Sequence, residues 1–177
     1  MSNHTPSEHP VGSAEHNRLV ARRWIDAFND RDDAGEAAAR SAGYIAHAPD
    51  SIQAEVIDSD GWLEFLAGFL EGFPDLHIEV QDSSADAQMV AQRVLFTGTH
   101  AGPFRGLPPT GRRVRFCGLE INRMTDGKVD EHWFQLDAVS LFEQLGLLVV
   151  PGPRLLPRLL AAPVKRLFGK RRRAARS

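Results

Sequence analysis

A change of period and a hairpin signal predict an α+β domain, with N-terminal helices packed on one face of a curved antiparallel sheet. Apolar residues recur at three- and four-residue spacing up to about residue 72, then at every second residue from Leu76 onward. Between the last two alternating stretches lies Thr125-Asp126-Gly127-Lys128, a tight hairpin signal because Asp-Gly readily takes the positive φ of a two-residue turn. The chain has 177 residues, 42% of them hydrophobic, with ten Phe and three Trp. A domain of that size buries roughly 68–70% of its unfolded surface, so a core with room for an internal pocket is available.

Residues 1–14 carry two prolines, a glycine and small polar residues without apolar periodicity, and are expected to be a disordered tail. From Glu15, the residues Leu19, Val20, Arg23, Trp24, Ala27 and Phe28 trace one face of a helix that ends at Asn29-Asp30-Arg31. A second helical segment over about 34–43 runs into Tyr44-Ile45-Ala46-His47. Asp60 could cap a third helix, whose stripe is Trp62, Phe65, Leu66, Phe69 and Leu70. Strands follow over about 76–81, 88–100, 112–124 and 128–136, and Val139–Leu145 reads as a short helix closed by Gly146. Three prolines and three glycines in 102–111 predict a loop ordered by turns.

A single cysteine, Cys117, excludes an internal disulfide and makes a structural zinc site unexpected. The first thirty residues lack a basic region followed by an apolar run, and no stretch reaches the roughly 20 apolar residues of a membrane span. A reduced, soluble, cytoplasmic protein is expected. No Gly-rich phosphate loop, nucleophile elbow or paired-His helix motif is present, so neither a metal nor a nucleotide cofactor is expected. The net charge of −2 hides an asymmetry: residues 151–177 hold nine basic and no acidic residues, leaving −11 on the first 150. The basic tail, 150–177, is expected to be solvated or docked on the acidic body. An anionic membrane surface is the second reading, weakened by Pro157 and Pro163. No fold motif supports nucleic-acid binding.

Several segments, in order, resemble one family. They are Phe73-Pro74-Asp75-Leu76, Gly98-Thr99-His100-x-Gly102, Phe104-x-Gly106-x-Pro108-Pro109-Thr110-Gly111-Arg112, Asp126-Gly127-Lys128-Val129-x-Glu131-His132-Trp133-x-x-x-Asp137, and Leu141-x-x-x-Leu145-Gly146. With the Trp24/Phe28 helix and Tyr44-x-x-His47-x-Pro49, residues 15–149 are identified as similar to SnoaL-like polyketide (ester) cyclases of the nuclear transport factor 2-like fold. The resemblance implies a cone-shaped α+β domain with an apolar cavity, commonly a homodimer. It also implies cofactor-independent aldol cyclisation of a polyketide or related carbonyl ester, with Asp137 as the acid–base residue. A non-catalytic binding module, or an isomerase, dehydratase or hydrolase on the same scaffold, is the alternative, because fold does not fix function.

The residues themselves leave choices open. Asp137 suits a base buried against aromatics, and equally suits the cap of the helix that follows. Strict alternation puts Glu131, Trp133, Gln135 and Asp137 on one strand face and His132, Phe134 and Leu136 on the other. Asp137 and His132 therefore share a pocket only if the strand bulges or ends early. His132 is either a second acid–base group or oxyanion donor, or an outer-face histidine. Glu120 shares a strand face with Val114, Phe116 and Gly118; a carboxylate there is costly unless it works as the pocket's base or pairs with an arginine such as Arg93. The expected catalytic set is Asp137, His132 and Glu120, and the expected substrate-binding set is His47, Trp62, His100, Phe116 and Trp133. His100 is also read as a loop-ordering residue. Trp24, Phe28, Phe65 and Phe69 are mostly core, with one or two walling the cavity.

Overall fold

The computed structural model describes residues 9–48 and 56–147; the expected N-terminal tail falls largely, and the basic tail wholly, outside them. Helix α1 (Ala14–Asp30) starts where Ser13 accepts a hydrogen bond from the His16 amide, and ends at Arg31 in the left-handed region. Its buried stripe is Asn17, Ala21, Trp24, Ile25 and Phe28. Two side chains at its C-terminal end tie it to the sheet. Asn29 pairs with both the amide and the carbonyl of Ile78, and the Arg31 guanidinium donates to the Phe28, Pro74 and Leu76 carbonyls.

The expected helix over 34–43 is shorter. Helix α2 (Asp33–Ala39) stops and strand β1 (Arg40–His47) begins at once. Ser41 and Gly43 are poor helix formers, and β1 gains a parallel partner in the last strand. The strand was hard to see because its register shifts between Arg40 and Ile45, which destroys simple alternation. A short strand β2 (Val56–Asp58) pairs antiparallel with β1 and leads into helix α3 (Ser59–Gly72). The cap of α3 is Asp58, accepting from the Gly61 amide, rather than Asp60.

Strands β3 (His77–Ala85), β4 (Met89–Thr99), β5 (Arg113–Thr125) and β6 (Lys128–Leu136) then form the expected antiparallel meander. Asp126 and Gly127 both have positive φ, 50° and 71°, as the hairpin signal requires. The sheet order is β2-β1-β6-β5-β4-β3, so the expected four-stranded antiparallel sheet is a six-stranded mixed one, open at both edges. Helix α4 (Ala138–Leu145) ends at Gly146 with φ 97°. Helices packed on a curved open sheet give the α+β cone. No helix among the described residues is long and apolar enough to cross a membrane.

Two apolar clusters fill the cone. One joins Ile25, Phe28 and Phe69 to Ile78, Phe96 and Phe116; the other joins Trp24, Tyr44 and Trp62 to Val90, Met124 and Phe134. A cavity between α1, α3 and the sheet is lined by residues of both.

Candidate active site

β5 alternates buried and exposed residues along its whole length, from Val114 to Met124. That phase turns Glu120 and Asn122 inward. Across the ladder Glu120 faces Gln92 of β4 and Phe134 of β6, and Asn122 faces His132. β6 shifts register between Val129 and Glu131, and from there on it alternates, so His132 and Phe134 point inward. The aromatic stripes of α1 and α3 close the opposite side. The result is a cavity of about 50 Å³, walled by Trp24, Trp62, Phe65, Phe69, Phe96 and Phe134, with Glu36, Glu120 and His132 as its ionisable members.

Burial controls the chemistry of those groups. Glu120 is 7% exposed and has no hydrogen-bond partner among the described residues, and desolvation of its carboxylate pushes its pKa up to about 7. The expected partner Arg93 instead binds Asp82 on the outer side. His132 is enclosed by the rings of Trp24, Trp62 and Phe134 at 5.0–5.2 Å. Its pKa is pushed down to about 3, chiefly by burial and secondarily by His47, so it is neutral near pH 7. The Tyr44 hydroxyl lies 3.3 Å from His132 Nδ1. Burial also drives the Tyr44 phenol pKa far above its ordinary value, outweighing the opposing charge of Arg40.

Of the expected residues, Glu120, His132 and Trp62 meet in the cavity, and the others do not. Asp137 stands exposed where β6 has ended, and its carboxylate accepts from the Ser140 amide at 3.0 Å as the cap of α4. The register shift of β6 lies before His132, and none between His132 and Leu136 turns Asp137 inward, so the expectation that it lines the cavity is corrected. Asp137→Ala is expected to cost about 0.5–2 kcal/mol of stability, whereas Asp137→Asn, an equally good cap, changes it little; denaturant midpoints check both.

His47 and Trp133 are Cα partners on the outer face, stacked at 4.9 Å, with His47 Nε2 2.7 Å from Glu131 Oε1 and Arg123 bound to Glu131. Parallel pairing fixes both outward, which corrects their placement in the pocket. His100 is fully buried, but its Nδ1 accepts from the Thr110 amide and pairs with the Thr110 hydroxyl, ordering the loop over 101–112. Phe116 stacks behind Phe96 at 4.9 Å and supports the wall without lining it.

Sequence reasoning missed Glu36, which is 6% exposed and accepts from the Trp62 indole N–H at 3.1 Å. An Ala-rich helix of seven residues gave no periodicity to place it. Asn122 and Gln92 were findable, since Asn122 keeps phase with Glu120 along β5 and Gln92 is its cross-strand neighbour. Among the described residues no group of three His, Cys, Asp or Glu side chains could hold a metal.

The profile of the SnoaL-like polyketide cyclases matches residues 18–145. The chain belongs to this SnoaL-like polyketide cyclase family. It is 27% identical over 133 residues to the aklanonic acid methyl ester cyclase DnrD of Streptomyces peucetius, covering 72% of this chain and 88% of that one. Among solved structures, AclR from Streptomyces galilaeus, described as a proposed hydroxylase, superposes with a TM-score of 0.70 at 31% identity, covering 77% of this chain and 100% of AclR. IdmH from Streptomyces antibioticus, a proposed polyketide cyclase, gives 0.69 at 30% identity, over 74% of this chain and 99% of IdmH. Proteins with this scaffold thus carry different ascribed activities, and the scaffold alone does not fix the reaction.

Proposed function

We propose that the protein catalyses aldol-type ring closure of a polyketide or related carbonyl ester by proton abstraction, with Glu120 as general base. The single observation that carries this reading is a buried carboxylate with no partner among the described residues, at the wall of an aromatic cavity and with a pKa near neutrality. A base works best when its pKa lies near the working pH, and an ordinary carboxylate is too weak. The carbon acid of a β-keto ester gives up its proton to Glu120, and the apolar walls keep water from competing for the enolate. His132, neutral and adjoining the cavity, serves as a donor to oxygen rather than as a second base.

A cavity of about 50 Å³ holds only a few waters, whereas a drug-sized ligand needs roughly 300–1,000 Å³. Substrate entry therefore displaces the half-buried Phe65 and Leu66 of α3. Such repacking beside Trp62 is expected to quench tryptophan fluorescence on binding.

The test follows deuterium uptake at the acidic C–H of β-keto esters and hydroxyanthraquinone esters in D₂O. Uptake by wild type and Asp137→Asn, with loss in Glu120→Gln, is expected. Loss in Asp137→Asn with retention in Glu120→Gln moves the base to the strand end and overturns the assignment. Ligand binding without uptake by wild type marks a binding module instead.

The same proposal includes a homodimer formed through the outer sheet face, where Leu119 and Ile121 stand 59% and 43% exposed. Ile121→Glu is expected to shift the protein to monomer in sedimentation velocity; an unchanged mass would rule out that face.

A further inference from the structure

Several buried polar atoms in the cone have no partner among the described residues, and two of them belong to side chains that line the cavity. These are the Trp24 indole Nε1 and His132 Nε2, on residues 5% and 2% exposed. Their rings meet edge to face at 5.0 Å. Buried donors are almost always satisfied, so a pair left open at a cavity wall points to a ligand atom that completes it.

The tautomer of His132 follows from its neighbour. Tyr44 is 2% exposed, and among the described residues the one hydrogen-bond contact of its hydroxyl is His132 Nδ1 at 3.3 Å. The phenol holds its proton, since burial opposes the phenolate. With no other acceptor for that proton among the described residues, the hydroxyl is satisfied as a donor only if Nδ1 accepts, and a neutral imidazole then carries its ring proton on Nε2. Tyr44 is itself held in place by the Trp24 and Trp62 rings at 5.8 and 6.2 Å and by the Arg40 guanidinium over its face.

We propose that Tyr44 fixes His132 as the Nε2–H tautomer, so that the His132 and Trp24 N–H groups together form a two-donor site for the carbonyl oxygen of a 1,3-dicarbonyl substrate. This rests on Glu120 as the base. The Glu120 carboxylate takes the proton from the carbon between the carbonyls, and the C–H electron pair moves onto the carbonyl oxygen. That enolate oxygen accepts from Trp24 Nε1–H and His132 Nε2–H, where a fixed pair of donors stabilises developing charge best. When the enolate carbon adds to a second carbonyl, a C–C bond forms. The new alkoxide oxygen takes the proton back from the Glu120 acid, so neither an oxidant nor a reductant is required. Trp24 and His132 touch the reacting oxygen; Tyr44 acts only through His132 and is a positioning residue.

The tests use the full chain labelled with ¹⁵N at histidine and tryptophan. Long-range ¹H–¹⁵N correlation at pH 7 is expected to show His132 neutral with its proton on Nε2, and Tyr44→Phe to give mixed tautomers. Adding the methyl ester of a hydroxyanthraquinone is expected to move both the Trp24 and His132 N–H resonances. Deuterium uptake should fall about 100-fold in Trp24→Phe, the typical loss for one oxyanion donor. In Tyr44→Phe the loss should be on the order of tenfold in kcat with KM little changed, the worth of one hydrogen bond. His132→Gln, which keeps an N–H where Nε2 stands, should retain more activity than His132→Asn, which does not. A proton on Nδ1 in wild type, or N–H resonances unmoved by bound ester, would overturn the donor pair. Wild type that takes up no deuterium, while both resonances respond to the ester, sinks the role of Glu120 and leaves the pair as a carbonyl-binding site.

Discussion

Between pH 4.5 and 6.5 the unfolding free energy of the wild type is expected to stay nearly flat, and Glu120→Gln and His132→Gln are expected to tilt it in opposite directions. Glu120 has a pKa of about 7 when folded against 4.5 unfolded, so its contribution is fully present below pH 4.5 and is lost as pH rises through 7. His132 is the reverse case, with about 3 when folded against 6.5 unfolded; its contribution is present above pH 6.5 and is lost as pH falls towards 3. In the overlap the folded state carries its proton on Glu120 and the unfolded state carries one on His132, so proton numbers match and the slope vanishes. Removing Glu120 leaves only the histidine, and stability then rises with pH by about 1.4 kcal/mol per unit. Removing His132 leaves only the carboxylate, and stability falls by the same slope. At pH 8 the charged Glu120 alone costs about 3 kcal/mol, so Glu120→Gln should be the more stable protein there. Urea unfolding across this range checks both signs, and parallel curves for the two variants would contradict the burial of both groups.

The catalytic counterpart is a rate that rises with pH. Deuterium uptake by wild type should climb tenfold per pH unit below 7 and level above it, as Glu120 becomes the carboxylate. Glu120→Gln should lose about 10²–10⁴-fold and with it the inflection, since the amide cannot accept the proton. His132 adds no inflection between pH 5 and 8, because burial keeps it neutral throughout that range. The variant that is more stable at pH 8 is therefore also the one that is inactive. That opposition is the mark of a charge held in an apolar site for function rather than for folding.

Most of the fold was legible where the period was clean. The alternation of β5, the Asp126-Gly127 turn and the α1 and α3 stripes each state a local rule, and the structure obeys it. β1 was not legible, because its irregular register with β6 erases alternation and its partner lies about 85–90 residues away. The site divides in the same way. Glu120 could be found as a carboxylate in phase with Val114 and Phe116, and the parity of β6 already opposed His132 to Asp137. Settling that opposition required knowing that β6 is irregular only before His132 and runs regularly from there to Leu136, which a sequence without its partner strand does not show. His47 and Trp133 were expected in the pocket, yet parallel pairing with β6 turns them outward. Glu36 reaches the cavity only through the packing of α2 against Trp62, a contact between segments 26 residues apart.

The most direct measurement is a ¹³C NMR titration of the Glu120 side-chain carboxyl, identified by its absence from the spectrum of Glu120→Gln. An inflection close to pH 7 is expected, and addition of a bound hydroxyanthraquinone ester should move it. A Glu120 carboxyl that titrates near 4.5, as a solvated glutamate does, would contradict a buried base and remove the basis for the proposed chemistry.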